Sequence, residues 1–324
     1  MTFSTAAAVA HPNIAFIKYW GNRDDEIRLP QNGSISINLG DLTTRTMVTF
    51  DSSLPRDTFD LNGIRQSGAA LQRVSQHLNL IRGIRGFSAP AHIFSESNFP
   101  AGAGLASSAA AFAALTVAAV RAAGIEMTEK DLSRLARRGS GSASRSIPSG
   151  FVEWLRGDTD ADSYAMSIAP ADHWELVDCI VILDSNHKAT GSTEGHRLAQ
   201  SSPLQQARVK DCERRLENCR GAIRHKDFDA LARVIELDSN LLHAVAMTSN
   251  PPVFYWLPAT IEVMQSVVTW RQAGLPVAYT IDAGPNVHVI CDASSFTRVH
   301  EKLTSQPGIQ SVLCSKVGNG TNLE

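Results

Sequence analysis

Apolar and polar residues follow two different periods along the chain, and this pattern predicts interleaved strands and helices. Before about residue 100, "MVTFDSS" alternates as a half-buried strand does, and the pair Asn62-Gly63 is typical of a hairpin turn. Residues 69–81 carry apolar side chains at near-helical spacing, which predicts an amphipathic helix. A strand at "HIFSES", a glycine-rich loop and an alanine-rich helix ending at Gly124 follow, and Thr128 begins a further helix as its N-cap.

The second half of the chain continues the same mixture of elements. The predicted order is a strand at 174–184, helices at 203–223, 228–246 and 259–273, a strand, turn and strand at 276–292, a short helix at 295–303 and a strand at 309–317. This order predicts an α+β chain. The loop-like "APADHW" favours a boundary between an N-terminal part, residues 1–172, and a C-terminal part, residues 173–324.

Composition narrows the classes of function. The chain has 324 residues, of which 43% are hydrophobic and 19% charged, and this is typical of a globular protein with one large or two ordinary domains. The formal charge of −2 provides no general basic field, so we expect neither nucleic acid nor a membrane surface as a partner. The longest apolar stretch, 101–123, is interrupted by glycines, serines and Arg121, which argues against a membrane span.

The cysteine pattern indicates a reducing compartment. The five cysteines form no Cys-x-x-Cys pair and no metal-ligand spacing, and the first residues lack the basic region of a secretory signal. We therefore predict reduced thiols and a cytoplasmic protein. The ten histidines are scattered, which makes a metal cluster built from them an unfavoured interpretation.

Two stretches in the first half suit an anionic ligand. In "FPAGAGLASSAAA", Gly102 and Gly104 permit close backbone approach, and Ser107 and Ser108 fall at the predicted start of a helix, where free N–H groups favour a phosphate. It is not a Walker A motif, and a turn into a buried helix explains it equally well. In "RRGSGSASRSIPSGFVEW", alternating serines surround Arg145 and offer donors to an anion, although a solvated linker is the alternative.

Three further residues lie at the ends of predicted strands. Lys18 follows the apolar "NIAFI", Asp282 follows "VAYTI", and Lys188 lies in the polar loop "NHKATGSTEGHR". Each has an ordinary explanation, such as a lysine reaching solvent or an aspartate bonding its own turn. Together, the loops suit a polyanion such as ATP plus a phosphorylated substrate, and Lys18 with Asp282 resembles a catalytic pair.

Five strings in the same order carry a family resemblance that spans residues 10–286: "HPNIAFIKYWGNRD", "NFPAGAGLASSAAAFAAL", "RRGSGSASRSIPSGFVEW", "MTSNPPVFYW" and "YTIDAGPNV". The chain resembles the mevalonate diphosphate decarboxylases of the galactokinase, homoserine kinase, mevalonate kinase and phosphomevalonate kinase (GHMP) superfamily. The resemblance implies an N-terminal part like ribosomal protein S5 domain 2, a ferredoxin-like C-terminal part and an active site in the cleft between them. Relatives of this kind are commonly homodimers.

The resemblance also implies a reaction in which ATP phosphorylates the tertiary C3 hydroxyl of a 5-phosphorylated mevalonate. The new phosphate then leaves while the C1 carboxylate departs as carbon dioxide. Carried over by motif, Asp282 would orient or deprotonate the C3 hydroxyl, Lys18 would pair with Asp282, and Arg145 would hold the substrate carboxylate.

Further roles implied by the resemblance concern binding. Asn13 would fix the substrate or Arg145, and Mg²⁺ would bridge phosphate oxygens, with no protein ligand assigned to it. The ATP phosphates would be bound by Gly102, Gly104, Ser107, Ser108 and Lys188. The 5-phosphate end of the substrate would be bound by Tyr19, Asn22, Ser140, Ser142 and Ser192.

The sequence departs from the family pattern near the expected substrate phosphate. Relatives usually read "KYWGKRD" and "SACRS", whereas this chain has Asn22 and Ser144, with "IPSG" at 147–150 in place of a Phe/Tyr-Gly-Gly run. A missing lysine weakens the field for a diphosphate, so we predict mevalonate 5-phosphate as the substrate and isopentenyl phosphate as the product. The alternatives are a mevalonate 5-diphosphate decarboxylase, a 3-kinase without decarboxylation, and an inactive or generic nucleotide-binding protein.

Overall fold

Strands and helices alternate in the computed structural model, which describes residues 4–99, 107–184 and 190–324. The strands in these ranges are β1 (Thr5–Ala10), β2 (Asn13–Ile17), β3 (Asn22–Asp24), β4 (Leu29–Pro30), β5 (Ser34–Asn38), β6 (Thr44–Phe50), β7 (Thr58–Leu61), β8 (Ile64–Gln66), β9 (Ala91–Ser97), β10 (Phe151–Trp154), β11 (Ala165–Ala169), β12 (Leu176–Ile182), β13 (Val277–Thr280), β14 (Val287–Asp292), β15 (Ser311–Lys316) and β16 (Asn322–Leu323). The helices are α1 (Gly68–Arg85), α2 (Ser107–Ala122), α3 (Glu129–Gly139), α4 (Ser192–Leu198), α5 (Gln205–Lys210), α6 (Cys212–His225), α7 (Phe228–Met247), α8 (Pro258–Gln272) and α9 (Phe296–Thr304).

The first sheet has the strand order β16-β1-β6-β9-β7-β8, and α2 packs on β1 and β6. Alternate residues of β6 are buried, as its sequence pattern predicts. The predicted hairpin joins β7 to β8, because Asn62 and Gly63 both adopt positive φ angles of 49° and 77°. The buried strand faces and the largely buried α2 form the core of this part of the molecule.

The helices of the first half begin and end at the signals in the sequence. Helix α1 is longer than the predicted 69–81 and ends at Gly86, which has a left-handed conformation. The Thr128 side chain caps α3 by accepting the Asp131 backbone N–H at 3.2 Å. These two predictions are confirmed, with the end of α1 shifted by four residues.

The second sheet, β11-β10-β5-β2, brings Lys18 toward the centre of the molecule. Every residue of β2 and β5 is buried. Helices α6 and α7 pack on β2, and a 3-10 segment over Gly141–Ser146 contacts both strands. Although β2 is the edge strand of this sheet, these elements cover it, so the residues that follow it are shielded from bulk solvent.

The third sheet, β13-β14-β12-β15, is antiparallel and carries α8 and α9. The predicted helix 203–223 is in fact two helices, α5 and α6, which meet at Asp211. The Asp211 carboxylate binds Arg214 and Arg215 there, so a polar residue marks the break. Strand β16 pairs with β1, and the chain thereby returns to its first sheet.

The observed architecture is mixed α+β, so the predicted fold class is confirmed. One large core cluster includes residues from both halves, such as Ile37, Ile180 and Leu216. All five cysteines are free thiols, and four of them are buried. Within the described ranges, no helix combines the length and apolar character needed to cross a bilayer.

Candidate active site

A polar cavity of about 300 Å³ lies where the end of β2, the start of α2, the 3-10 segment, the start of α4 and the turn before β14 meet. Its lining includes most of the residues singled out from the sequence. They are Lys18, Tyr19, Ser107, Ser108, Ser140, Ser142, Arg145, Ser192 and Asp282. Residues from stretches more than 260 positions apart in the sequence therefore surround one space.

Lys18 and Asp282 form an ion pair in this cavity. The Lys18 Nζ atom lies 2.7 Å from Asp282 Oδ1 and also donates to the Ala15 carbonyl at 2.7 Å. The Lys18 side chain is 1% exposed, whereas the Asp282 side chain is 29% exposed and faces the cavity. The lysine is therefore a buried counter-ion, and the carboxylate is the member of the pair that a ligand can reach.

The two charges of this pair stabilise one another against burial. Burial lowers the pKa of the Lys18 ammonium, and the Asp282 carboxylate opposes that shift. Burial alone would raise the pKa of Asp282, but the nearby charges of Lys18, His288 and Arg145 hold it below its usual value. Asp282 is therefore ionised at neutral pH and can accept a proton or a hydrogen bond.

Asp238 of α7 fixes the backbone of Lys18, and sequence reasoning missed it. Its Oδ1 atom accepts the Lys18 backbone N–H at 2.8 Å, and its Oδ2 atom accepts from Arg215 Nε at 2.7 Å. Arg208 donates to the Lys18 carbonyl at 2.7 Å from the same cluster. The only signal in the sequence was an aspartate within the apolar helical run "VIELDSNLLH".

Arg145 is held by neutral partners rather than by a carboxylate. Its guanidinium donates to Asn13 Oδ1 at 3.0 and 3.3 Å and to Ser34 Oγ at 2.7 Å. Asn13 is itself oriented by Ser146 Oγ at 2.8 Å, and it lies behind Arg145, outside the cavity lining. Burial lowers the pKa of Arg145 to about 10, so it keeps its charge at pH 7 and can bind an anion.

A line of hydroxyls joins the start of α2 to the 3-10 segment. Ser140 Oγ lies 3.1 Å from Ser108 Oγ and 3.4 Å from Ser142 Oγ. Between these serines, Gly141 allows the Tyr19 ring to approach so closely that a Cβ atom would lie 2.5 Å from Tyr19 Cε1. The serines and Tyr19 are therefore packed into one wall of the cavity.

Asn22, which stands where relatives usually have lysine, lies behind that wall. Its Oδ1 atom accepts from the Tyr19 hydroxyl, and its Nδ2 atom donates to Asp25 Oδ1 at 2.7 Å. Asn22 is buried and does not line the cavity. The structure therefore places it as a neighbour of Tyr19, not as a residue in direct contact with the ligand space.

His196 of α4 adds a neutral donor that sequence reasoning did not select. The Gly21 backbone N–H donates to His196 Nδ1 at 3.0 Å, which leaves the ring proton on Nε2. The ring stacks on Tyr19 with centroids 4.0 Å apart. Burial, then the charges of Arg28 and Arg208, lowers the pKa of His196 to about 3.

Two arginines that line the cavity were also not identified from the sequence. Arg28 donates from Nε to the Arg138 carbonyl at 3.1 Å, and Arg73 donates from Nη2 to the Gly139 carbonyl at 3.0 Å. Across the described ranges, neither guanidinium has a carboxylate within 4.0 Å. Nothing in the sequence distinguishes these arginines from surface arginines, because only the folded chain turns them toward the cavity.

Three of the predicted site residues fall outside the ranges that the structure describes. Gly102 and Gly104 lie in 100–106, and Lys188 lies in 185–189. No cluster of three or more metal-ligating His, Cys, Asp or Glu side chains occurs in the part of the chain that the structure describes. The donor set of the cavity, with one carboxylate and several hydroxyls, fits Mg²⁺ bound together with phosphate oxygens rather than a metal held by protein alone.

The fold and the cavity define a class of protein, an α+β protein whose cavity, lined by arginines, hydroxyls and a reactive carboxylate, suits a small phosphorylated ligand. Comparison with known proteins narrows the class. Residues 10–165 match the diphosphomevalonate decarboxylase-like N-terminal domain, and residues 179–322 match the mevalonate 5-diphosphate decarboxylase C-terminal domain. The chain belongs to the diphosphomevalonate decarboxylase family of the GHMP superfamily, and it is an ATP-dependent carboxy-lyase.

Individual relatives cover nearly the whole chain. The diphosphomevalonate decarboxylase of Saccharomyces cerevisiae is 37% identical over 95% of this chain and 84% of its own, and that of Ganoderma lucidum is 38% identical over 88% and 78%. The solved mevalonate diphosphate decarboxylase of Staphylococcus aureus is 37% identical with a TM-score of 0.94, covering 100% of this chain and 98% of that one. A further solved relative, in complex with MVAPP, AMPPCP and magnesium, is 36% identical with a TM-score of 0.94, covering 100% and 99%.

Proposed function

We propose that this enzyme converts mevalonate 5-diphosphate and ATP into isopentenyl diphosphate, ADP, phosphate and carbon dioxide. One observation carries the choice of substrate. Arg28 and Arg73 line the cavity without a carboxylate partner within 4.0 Å among the described residues. Two such cations suit the charge of a diphosphate, and they offset the absence of a lysine at Asn22.

In the first step, the C3 hydroxyl of the substrate attacks the γ-phosphorus of ATP, and the bond from that phosphorus to the β-phosphate oxygen breaks. Asp282 accepts a hydrogen bond from the hydroxyl and takes its proton as the new bond forms. Lys18 is 2.7 Å from Asp282 and keeps the carboxylate ionised and oriented for this role. ADP is the leaving group.

In the second step, the C3–O bond to the new phosphate breaks and the C1–C2 bond breaks with it. The electron pair of the C1–C2 bond becomes the double bond of the product, and C1 leaves as carbon dioxide. Arg145 is the group that we assign to the substrate carboxylate, because Asn13 and Ser34 orient its guanidinium in the cavity. Phosphorylation is needed because hydroxide is a poor leaving group.

ATP and Mg²⁺ are proposed from the relative that binds AMPPCP and magnesium and from the chemistry of the lining. Ser107 and Ser108 begin α2 and face the cavity, where hydroxyls and helix N–H groups favour phosphate. Ser107 and Ser108 are the hydroxyls at the start of α2 that would hold Mg²⁺ together with phosphate oxygens. When bound, the ion neutralises phosphate charge.

Mevalonate 5-phosphate is the second candidate substrate, and one observation favours it. Asn22 carries no charge, and Asp25, an anion, is bonded to it beside Tyr19. A single phosphate would need fewer cations than a diphosphate. We place the diphosphate first because the relatives are diphosphomevalonate decarboxylases and because the two arginines supply the missing charge.

Steady-state kinetics with ATP and Mg²⁺ tests the proposal. The expected result is a kcat/KM for mevalonate 5-diphosphate at least tenfold above that for mevalonate 5-phosphate, with ADP and carbon dioxide released in equal amounts. A preference for the monophosphate would overturn the choice of substrate. ADP release without carbon dioxide would instead indicate a 3-kinase.

A further inference from the structure

Arg28 has an unusual backbone conformation that turns it toward the cavity. It lies immediately before β4, at the end of the hairpin that follows Lys18, and its φ angle is +51°. Non-glycine residues adopt this left-handed region only at a cost, so the position is held by its surroundings. One hydrogen bond, from Nε to the Arg138 carbonyl at 3.1 Å, anchors the guanidinium from α3.

The Nη groups of Arg28 remain available for an anion. The Arg28 side chain lines the cavity, and neither of its Nη atoms forms a hydrogen bond or an ion pair within the described ranges. The neighbouring cation is Arg73, whose pKa is lowered to about 10 by burial and then by the Arg28 charge. Two like charges held together in a half-buried wall are stabilised when an anion binds between them.

Arg28 and Arg73 are anchored at consecutive carbonyls at the end of α3, those of Arg138 and Gly139. The next residue is Ser140, whose hydroxyl lies 3.1 Å from Ser108 Oγ and 3.4 Å from Ser142 Oγ in the cavity wall. Asp282 is held elsewhere in the lining, by Lys18 at the end of β2. For a substrate with its C3 hydroxyl at Asp282, we therefore assign the phosphate end to the wall that carries Arg28.

Asn22, in the same hairpin, cannot serve this purpose. Both ends of its amide are used, by Tyr19 and by Asp25, and it lies outside the lining. Arg23 points away from the cavity, because its guanidinium donates to the Arg156 and Gly157 carbonyls. Among the residues described for this hairpin, Arg28 supplies the cation of the cavity.

We propose that Arg28 binds the terminal phosphate of the substrate and is a residue that selects a diphosphate over a monophosphate. This inference rests on the proposed function. The alternative anion is a phosphate of ATP, which shares the same chemistry, and the kinetic test separates the two.

The test compares Arg28→Asn with Arg28→Lys and with a matched control, Arg23→Gln. Asparagine removes the charge but tolerates a left-handed backbone, so the hairpin is retained. For Arg28→Asn, we expect a 10- to 100-fold lower kcat/KM for mevalonate 5-diphosphate, roughly the loss of one charge-assisted contact. The value for mevalonate 5-phosphate and the KM for ATP should change less than threefold, and Arg28→Lys should lose less than Arg28→Asn. The control should match the wild type.

Several results would overturn the inference. One is an Arg28→Asn variant whose kcat/KM falls equally for both substrates, and another is a KM for ATP that rises tenfold. If Arg28→Asn shows a lowered Tm, Arg28→Gly carries the test, because glycine tolerates the left-handed backbone and also removes the charge. An unchanged kcat/KM for the diphosphate in Arg28→Gly would overturn the inference. An equal loss of selectivity for the diphosphate in Arg28→Lys and in Arg23→Gln would contradict the inference. The wild-type substrate ratio tests the proposed function separately, because the inference concerns only the change from that ratio.

Discussion

Lys18 illustrates what a single side chain in this fold depends on. Its ammonium is enclosed, its charge is met by Asp282 at 2.7 Å, and its backbone N–H is fixed by Asp238. Such a lysine contributes little to the stability of the fold by itself, because removing its charge from water costs at least as much free energy as the ion pair returns. We infer that the arrangement is retained because it keeps a reactive carboxylate ionised inside the cavity.

Replacement of Asp282 by asparagine tests the role of the carboxylate. We expect kcat to fall by about 10²- to 10⁴-fold, the usual effect of losing a general base, while ATP binding stays near normal. Asp292→Asn, at the far end of β14, is the control and should keep the wild-type kcat. Measurement of carbon dioxide release gives kcat, and a decrease of less than tenfold would contradict the assigned role.

Replacement of Asp238 by asparagine tests the support beneath Lys18. The change leaves the buried Arg208 without a carboxylate and leaves Arg215 with only the partly exposed Asp211, which is expected to lower the free energy of unfolding by about 3–5 kcal/mol. Asp211→Asn removes the other, partly exposed partner of Arg215 and should cost about 1 kcal/mol or less. Urea denaturation compares the two variants, and equal losses would show that Asp238 has no special position.

Some of these residues could be identified from the sequence and others could not. Lys18 and Asp282 stand out because each ends an apolar strand, and Arg145 stands out among serines. Asp238 and Arg28 reach the site only when the chain folds. Asp238, for example, lies 220 positions along the chain from the Lys18 backbone N–H that it binds. A local pattern cannot report a contact of that range.

At the level of elements, the 3-10 segment over Gly141–Ser146 and strand β2 determine the shape of the cavity wall. The sequence predicted strands and helices well where the periodicity was long, as in α7 and α8. It predicted one helix where α5 and α6 are separate, because the break at Asp211 depends on arginines that bind its carboxylate. It also gave no sign of a 3-10 segment, since alternating serines and glycines suit a loop equally well.

The boundary predicted between an N-terminal part, 1–172, and a C-terminal part, 173–324, stays a proposal.

Replacement of Gly141 by alanine tests the contact between this segment and Tyr19. A Cβ atom there would lie 2.5 Å from the Tyr19 ring, so the ring must move. We expect a loss of about 1–3 kcal/mol in unfolding free energy and a raised KM for the phosphorylated substrate. Gly221→Ala in α6 is the matched control, since nothing lies within 4 Å of its Cβ position, and helix propensity should stabilise it by roughly 0.5–1 kcal/mol. Equal behaviour of the two variants would contradict the close approach.

At the level of the whole molecule, three buried histidines make stability depend on pH. Burial lowers the pKa values of His77, His196 and His243 to about 3 in each case. In the unfolded chain they titrate near 6.5, so the unfolded state binds more protons between these values. Stability is therefore highest at and above neutral pH and falls as pH decreases from 6.5 toward 3.

This dependence predicts acid destabilisation well above the range in which carboxylates titrate. Each of the three histidines contributes up to about 1.4 kcal/mol per pH unit. Urea unfolding at pH 7 and pH 5 should show a clearly lower free energy at pH 5, and a His77→Gln variant should show a smaller difference. A free energy of unfolding that is equal at the two pH values would contradict the buried neutral state of these histidines.

The homodimer expected from the family stays a prediction.

The central claim, that the cavity decarboxylates mevalonate 5-diphosphate, is tested most directly by competition in one vessel. Equal amounts of mevalonate 5-diphosphate and mevalonate 5-phosphate are mixed with enzyme, ATP and Mg²⁺, and the two products are measured at low conversion. Their ratio gives the ratio of the two kcat/KM values. We predict isopentenyl diphosphate in at least tenfold excess. An excess of isopentenyl phosphate would contradict the account.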